Sequence, residues 1–168
     1  MQPISVLNAA GPEDFAAGIR LLFEVAPPLA AALYARRPFV SYTHLIDAAE
    51  SLARGMPIAD QVAVLAAHPR IGANSQTLSA ASYREQGYAA EARMSPAEVE
   101  RTYADLANLN NVYEQRFGFR FVVFVNGRPK AEILEVLRER IQHSREQELA
   151  NGLRDMFLIA RDRLASAT

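Results

Sequence analysis

Cysteine is absent from the chain, so disulfides, thiolate nucleophiles and iron–sulfur clusters are excluded; the composition agrees with a reducing, cytoplasmic setting. Lysine occurs once, as Lys130 in the turn and helix-start context Asn126-Gly127-Arg128-Pro129-Lys130. An exposed helix start gives little of the desolvation that lowers a catalytic lysine's pKa, so Schiff-base and pyridoxal chemistry are not expected. A net charge of -1 leaves no basic footprint for nucleic acid. Long apolar runs are missing too: none approaches the roughly 20 residues that span a bilayer, and Met1 to Asn8 lacks the basic-then-apolar order of a signal peptide. Ser166-Ala167-Thr168 is no peroxisomal address. Gly72, Gly87, Gly118 and Gly127 are scattered, so no phosphate-cradling loop is present. The histidines, His44, His68 and His143, have none of the spacings of known metal sites, and no metal is expected.

What is present is 168 residues, half of them apolar, which suits one domain over residues 1–168. Gly11-Pro12-Glu13-Asp14 reads as a helix entry, followed at helical spacing by Phe15, Ile19, Leu22 and Phe23. Further helices are predicted over Leu29 to Arg37, Ser41 to Gly55, and Ile58 to Ala67 with Ile58, Val62, Leu65 and Ala66 on its apolar stripe. A short one is predicted over Ser79 to Gly87. Ser95-Pro96-Ala97-Glu98 is a capping box opening the longest helix, which Gly118 ends near Phe117; Pro129 to His143 follows, and Ser144-Arg145-Glu146-Gln147 opens the last. Phe119 to Val125 is β-like in composition but has no second strand to pair with, so it is predicted to be extended core whose backbone groups need other partners, a ligand among them. The fold class is therefore all-α, a single compact domain of about seven to nine helices with one short extended core segment.

His68 carries the side chain whose ordinary pKa lies nearest neutrality, and Pro69 disfavours helical geometry at the residue before it. His68 is thus placed at or just past a helix end, with its ring exposed. The bland alternative is a helix-ending histidine that caps a carbonyl. Ser82, Glu85 and Gln86 put a hydroxyl, a carboxylate and an amide within one turn, a set suited to a substrate bearing several N–H and C=O groups. Ser-x-x-Glu is also a capping box, and a solvated helix face is the plain alternative. The many arginines mix with acids along the helices and read as solvated faces.

Taken in order, His68-Pro69-Arg70-Ile71-Gly72, Ser82-x-x-Glu85-Gln86 and Tyr113-Glu114-Gln115-Arg116-Phe117-Gly118-Phe119-Arg120-Phe121-Val122 resemble the ureidoimidazoline decarboxylases of urate catabolism over nearly the whole chain. The resemblance implies conversion of 2-oxo-4-hydroxy-4-carboxy-5-ureidoimidazoline (OHCU) to (S)-allantoin without a cofactor. It places the catalytic histidine on His68 and the catalytic glutamate on Glu85. Substrate contacts fall on Pro69, Ser82 and Gln86, on the backbone of Phe121, Val122, Val123, Phe124 and Val125, and on Arg163, which precedes Leu164 in the last helix. Two positions depart from the family pattern. Asn126 stands where many members have arginine, so Arg128 or Arg163 would have to balance substrate charge, and Arg120 replaces a common proline.

The implied chemistry is self-contained. Loss of the carboxylate pushes electrons into the adjacent ring C=N, and the enol-like product of that step is protonated on one face. The substrate is its own electron sink, which agrees with the lack of cofactor-holding motifs. Two other functions fit the composition: a helical module binding a ureide or purine metabolite, and a metal-dependent amide hydrolase using His68, Glu85 and a further ligand. The expected partner is a small molecule, with no nucleic acid and no membrane; spare apolar positions on long amphipathic helices point to a homodimer.

Overall fold

Prolines and capping side chains set most of the helix starts in the computed structural model, which describes residues 1–24, 26–72 and 95–167. Eight helices lie among the described residues: α1 Ile4–Ala9, α2 Pro12–Phe23, α3 Pro27–Arg36, α4 Tyr42–Gly55, α5 Ile58–Ala66, α6 Pro96–Phe117, α7 Lys130–Arg140 and α8 Arg145–Ser166. No strand occurs among them, so the all-α expectation holds. The helix predicted over Ser79 to Gly87 lies outside the described residues. No single described helix is long and apolar enough to cross a membrane.

The chain divides into two compact units, one formed by Met1–His68 with Leu153–Thr168 and the other by Pro69–Gly152. In the first, Phe15, Leu22 and Phe23 of α2, Leu29 and Leu33 of α3, and Leu45 and Ile46 of α4 are buried together with Met156 and Phe157 from the second half of α8. Phe23 meets Phe157 edge to face, centroids 6.0 Å apart. α1 has only Leu7 to bury, too little for a periodic signal, and it went unpredicted. It is held from outside its own sequence: the Asn8 amide donates to Phe39 O and accepts from Phe39 N, while Arg37 donates to the carbonyls of Asn8 and Ala10.

α5 turns a different face inward from the one predicted. Leu65 is buried as predicted, but Ile58 is 56 % exposed and Ala66 exposed, and Gln61 and Val64 are buried in their place. The cause is local. Gln61 Nε2 donates to Met56 O (2.9 Å) and Arg54 O (3.3 Å), satisfying carbonyls at the end of α4 that have no helical partner.

In the second unit, α6 begins with the predicted capping box, Ser95 and Glu98 bonding each other's backbone N–H, and ends at Gly118 in the left-handed conformation (φ 76°). α8 starts the same way, with Ser144 Oγ accepting from Gln147 N and Gln147 Oε1 from Ser144 N. Tyr113 lies at the centre of an aromatic cluster, with ring centroids 4.6 Å from Phe117, 6.0 Å from Phe119 and 5.2 Å from Phe121.

Residues 119–125 run between Gly118 and the turn at Asn126 (φ 48°) and Gly127 (φ 72°) without helix or strand. Arginines take the place of a neighbouring strand. Arg140 Nη1 donates to Val122 O (2.9 Å), and Arg128 donates through Nη2 to Phe124 O (2.6 Å) and through Nε to Val125 O (3.0 Å). Carbonyls expected to need partners outside the regular elements thus find guanidinium groups.

Candidate functional site

His68 follows the end of α5 by two residues, and its N–H donates to Leu65 O at 3.2 Å. Its placement past the helix end is as predicted, but its ring is not exposed: the residue is 3 % accessible. A helix end is a local feature, whereas burial depends on what packs over it.

Pro69–Gly72, in the other unit, is pinned to α6. Arg70 grips Glu114 in a two-pronged bond, Nε to Oε1 at 2.8 Å and Nη2 to Oε2 at 2.5 Å, and its Nη1 reaches Asn111 Oδ1 at 3.2 Å. Asn110, 2 % exposed, donates to Ile71 O at 3.1 Å. Gly72 has φ 76°, and a Cβ there would lie 3.1 Å from Leu106 Cδ1, so both backbone shape and space favour glycine. The residues after the motif histidine are thus an anchoring device.

Ser82, Glu85 and Gln86 lie outside the described residues. Phe121, Val122, Val123 and Val125 are buried and Phe124 is half-buried. Among the described residues no hydrogen bond leaves their backbone N–H groups.

Arg163 is buried at 4 % exposure, with Nη2 2.9 Å from Glu24 Oε1 and Nη1 donating to Leu21 O at 3.1 Å. It covers a carbonyl in the last turn of α2. Arg128, the other candidate to balance substrate charge, spends Nε and Nη2 on the backbone beside Asn126.

Lys130 corrects the premise used for it. It is 2 % exposed, with Nζ 5.3 Å from the centroid of the Tyr103 ring. Desolvation is therefore available, and lysine chemistry is not excluded by exposure. Among the described residues no cluster of histidine and acidic side chains could hold a metal ion.

A buried polar cluster went unread in the sequence. Glu148, wholly inaccessible, accepts at Oε2 from Tyr113 Oη (2.7 Å) and Arg140 Nε (2.7 Å), while Oε1 lies 2.8 Å from His143 Nδ1 and 2.9 Å from Asn151 Nδ2. Burial pushes the Glu148 carboxyl up, but the Tyr113 hydroxyl and the Arg140 charge outweigh it and hold the group below the usual carboxylate range. Burial, aided by Glu148, pushes the Tyr113 phenol far above its ordinary value. The arginines are thus not all solvated faces. Arg140 stands three residues after Leu137 and seven after Ile133, and a charge on a buried stripe was the signal available.

A family model described as OHCU decarboxylase matches residues 8–165. The chain is similar to the 2-oxo-4-hydroxy-4-carboxy-5-ureidoimidazoline decarboxylase of Halalkalicoccus jeotgali, 30% identical over 162 residues, covering 96% of this chain and 89% of that protein. It is also similar to the uric acid degradation bifunctional protein PucL of Bacillus subtilis, 33% identical over 144 residues, covering 86% of this chain but 28% of that longer protein. In fold it matches a crystal structure of OHCU decarboxylase in the presence of (S)-allantoin, with a TM-score of 0.70 and 23% identity over 94% of this chain and 98% of that one.

Proposed function

Because the chain belongs to the OHCU decarboxylase family, we propose that it decarboxylates 2-oxo-4-hydroxy-4-carboxy-5-ureidoimidazoline to (S)-allantoin in urate degradation. The observation that carries this reading is the family match over residues 8–165, which spans every motif residue from His68 to Arg163 in one continuous stretch. The C–C bond to the carboxylate breaks, carbon dioxide leaves, and the electron pair enters the ring C=N. The ring nitrogen takes a proton, and the resulting enol then gives up its hydroxyl proton and takes one at carbon, so one proton is consumed overall. His68 and Glu85 share the proton traffic, one polarising the substrate hydroxyl and the other assisting protonation.

Ser82 and Gln86 fix the ureido or ring amides, Pro69 contacts the substrate beside His68, and the amides of Phe121 to Val125 add backbone donors. Glu24 already balances the charge of Arg163, so Arg163 brings hydrogen bonds rather than net charge. The cysteine-free composition suits a cytoplasmic protein, and exposed Val6, Val40 and Ile58 suit a homodimer, which light scattering would test.

The test is allantoin formation from freshly oxidised urate, with circular dichroism reporting its handedness. One hand is expected, with turnover unchanged by chelators. His68→Ala and Glu85→Ala should each lose at least about a hundredfold in kcat while remaining folded. Near-wild-type turnover by both would overturn the catalytic assignment, loss on chelation would favour a metal-dependent hydrolase, and no turnover would favour a binding module.

A further inference from the structure

Val122 O is held at 2.9 Å by Arg140 Nη1, and the Arg140 guanidinium lies 4.7 Å from the centroid of the Phe121 ring. Its Nε is committed to Glu148 at 2.7 Å. Glu148 is itself wholly buried, with Tyr113 on one oxygen and His143 and Asn151 on the other. Moving the guanidinium would leave a buried cation and a buried anion apart, which the low-dielectric interior strongly disfavours. Arg140 is therefore a fixed point, and Val122 O is fixed with it.

A trans peptide unit is planar, and its C=O and N–H point in opposite directions. The only cis peptide among the described residues is Arg37–Pro38. Holding Val122 O on Arg140 therefore aims the Val123 N–H away from that guanidinium. Arg128 on Phe124 O does the same for the Val125 N–H. A strand in a sheet would have such directions set by its neighbours, but no strand lies among the described residues.

We infer that Arg140 and Glu148 are positioning residues for the substrate-facing backbone: Glu148 locks Arg140, Arg140 locks Val122 O, and the locked peptide plane presents the Val123 N–H as a donor to the substrate. This rests on the reading that residues 121–125 face the substrate. Neither side chain is required to touch it.

The experiment compares Arg140→Lys, Glu148→Gln and Tyr113→Phe for kcat/KM and Tm, and follows the amide of Val123 by 15N NMR as (S)-allantoin is added. Arg140→Lys keeps the charge opposite Glu148 but loses the fork that also reaches Val122 O. It should lose about ten- to a hundredfold in kcat/KM, the scale of a misplaced binding group. Its Val123 response to allantoin should shrink. Tyr113→Phe removes a hydrogen bond from the same carboxylate oxygen but leaves the Arg140 to Val122 link, so it should lose Tm and keep wild-type kcat/KM. Should Arg140→Lys fail to fold, Glu148→Gln, which keeps the side chain's shape but removes the charge that holds Arg140, carries the same expectation. If the folded Arg140 or Glu148 variant keeps wild-type kcat/KM, or if Tyr113→Phe loses activity in step with Tm as they do, the positioning role is overturned. If the wild-type Val123 amide does not respond to allantoin, the substrate-facing reading beneath it is what has failed.

Discussion

Tyr113→Phe removes one oxygen atom from the buried cluster and leaves the ring in the aromatic contacts with Phe117, Phe119 and Phe121. The lost bond is a 2.7 Å O–H···O⁻ contact to a fully buried carboxylate. Hydrogen bonds to charged groups contribute about 1.5–3 kcal/mol, and Glu148 keeps three other partners, so the lower half of that range is expected. At about 2–4 °C per kcal/mol for a chain of this size, Tm at neutral pH should fall by roughly 3–9 °C. The alkaline limb gives a second readout. The folded pKa of Tyr113 is raised above its unfolded value of about 10, so the stability it contributes is full below that pH and is lost as pH rises beyond it. Denaturant melts of both proteins from pH 7 to 11 should show wild type ahead at pH 7 and the gap closing above pH 10. The remaining tyrosines ionise in both proteins and cancel in the difference. Equal stability at pH 7, or a gap constant to pH 11, would refute a buried Tyr113–Glu148 bond.

On the acid side the sign reverses. The folded pKa of Glu148 is lowered, so its contribution is present above the unfolded value of about 4.3 and is lost as pH falls through the folded one. Wild type and Glu148→Gln should therefore converge in stability below pH 4, as acid titrations followed by circular dichroism would show. Gly118→Ala and Gly72→Ala separate backbone strain from crowding, since both positions have φ 76° but only Gly72 faces a neighbour, Leu106 Cδ1, at 3.1 Å. The left-handed conformation costs an L-residue roughly 1–2 kcal/mol, so Gly118→Ala should lower Tm by about 2–8 °C, with Gly72→Ala lower still. Adding Leu106→Ala should shrink the excess at Gly72 and leave the effect at Gly118 unchanged.

Helix ends were legible in the sequence because they are settled by chemistry within a few residues. Ser95 with Glu98, Ser144 with Gln147 and Gly118 each do what their spacing implies. The short α1 was not, because one buried residue makes no period and its hydrogen-bond partners, Arg37 and Phe39, are about thirty residues away in the chain. The candidate site divides in the same way. The position of His68 after α5 follows from Pro69, a local restriction, whereas its burial and that of Lys130 depend on distant packing that no local pattern encodes.

The extended segment ties the buried arginine Arg140 and its neighbour Arg128 to the proposed function. Its β-like composition without a pairing partner predicts an extended core segment whose backbone groups need other bonds; it is buried without being a strand, and three of its carbonyls take their bonds from arginines. A neighbouring strand would have taken N–H and C=O groups alike. Guanidinium groups only donate, so they can take carbonyls and must leave amides. A core segment whose carbonyls at Val122, Phe124 and Val125 are bonded by Arg140 and Arg128 keeps its N–H groups for acceptors, and on the proposed reading the substrate's carbonyl and carboxylate oxygens are those acceptors. The arginine that the resemblance would place at Asn126 is less needed on that reading. Backbone donors with fixed directions can stabilise anionic oxygen without a free cation beside it, provided that the side chains holding them do not move.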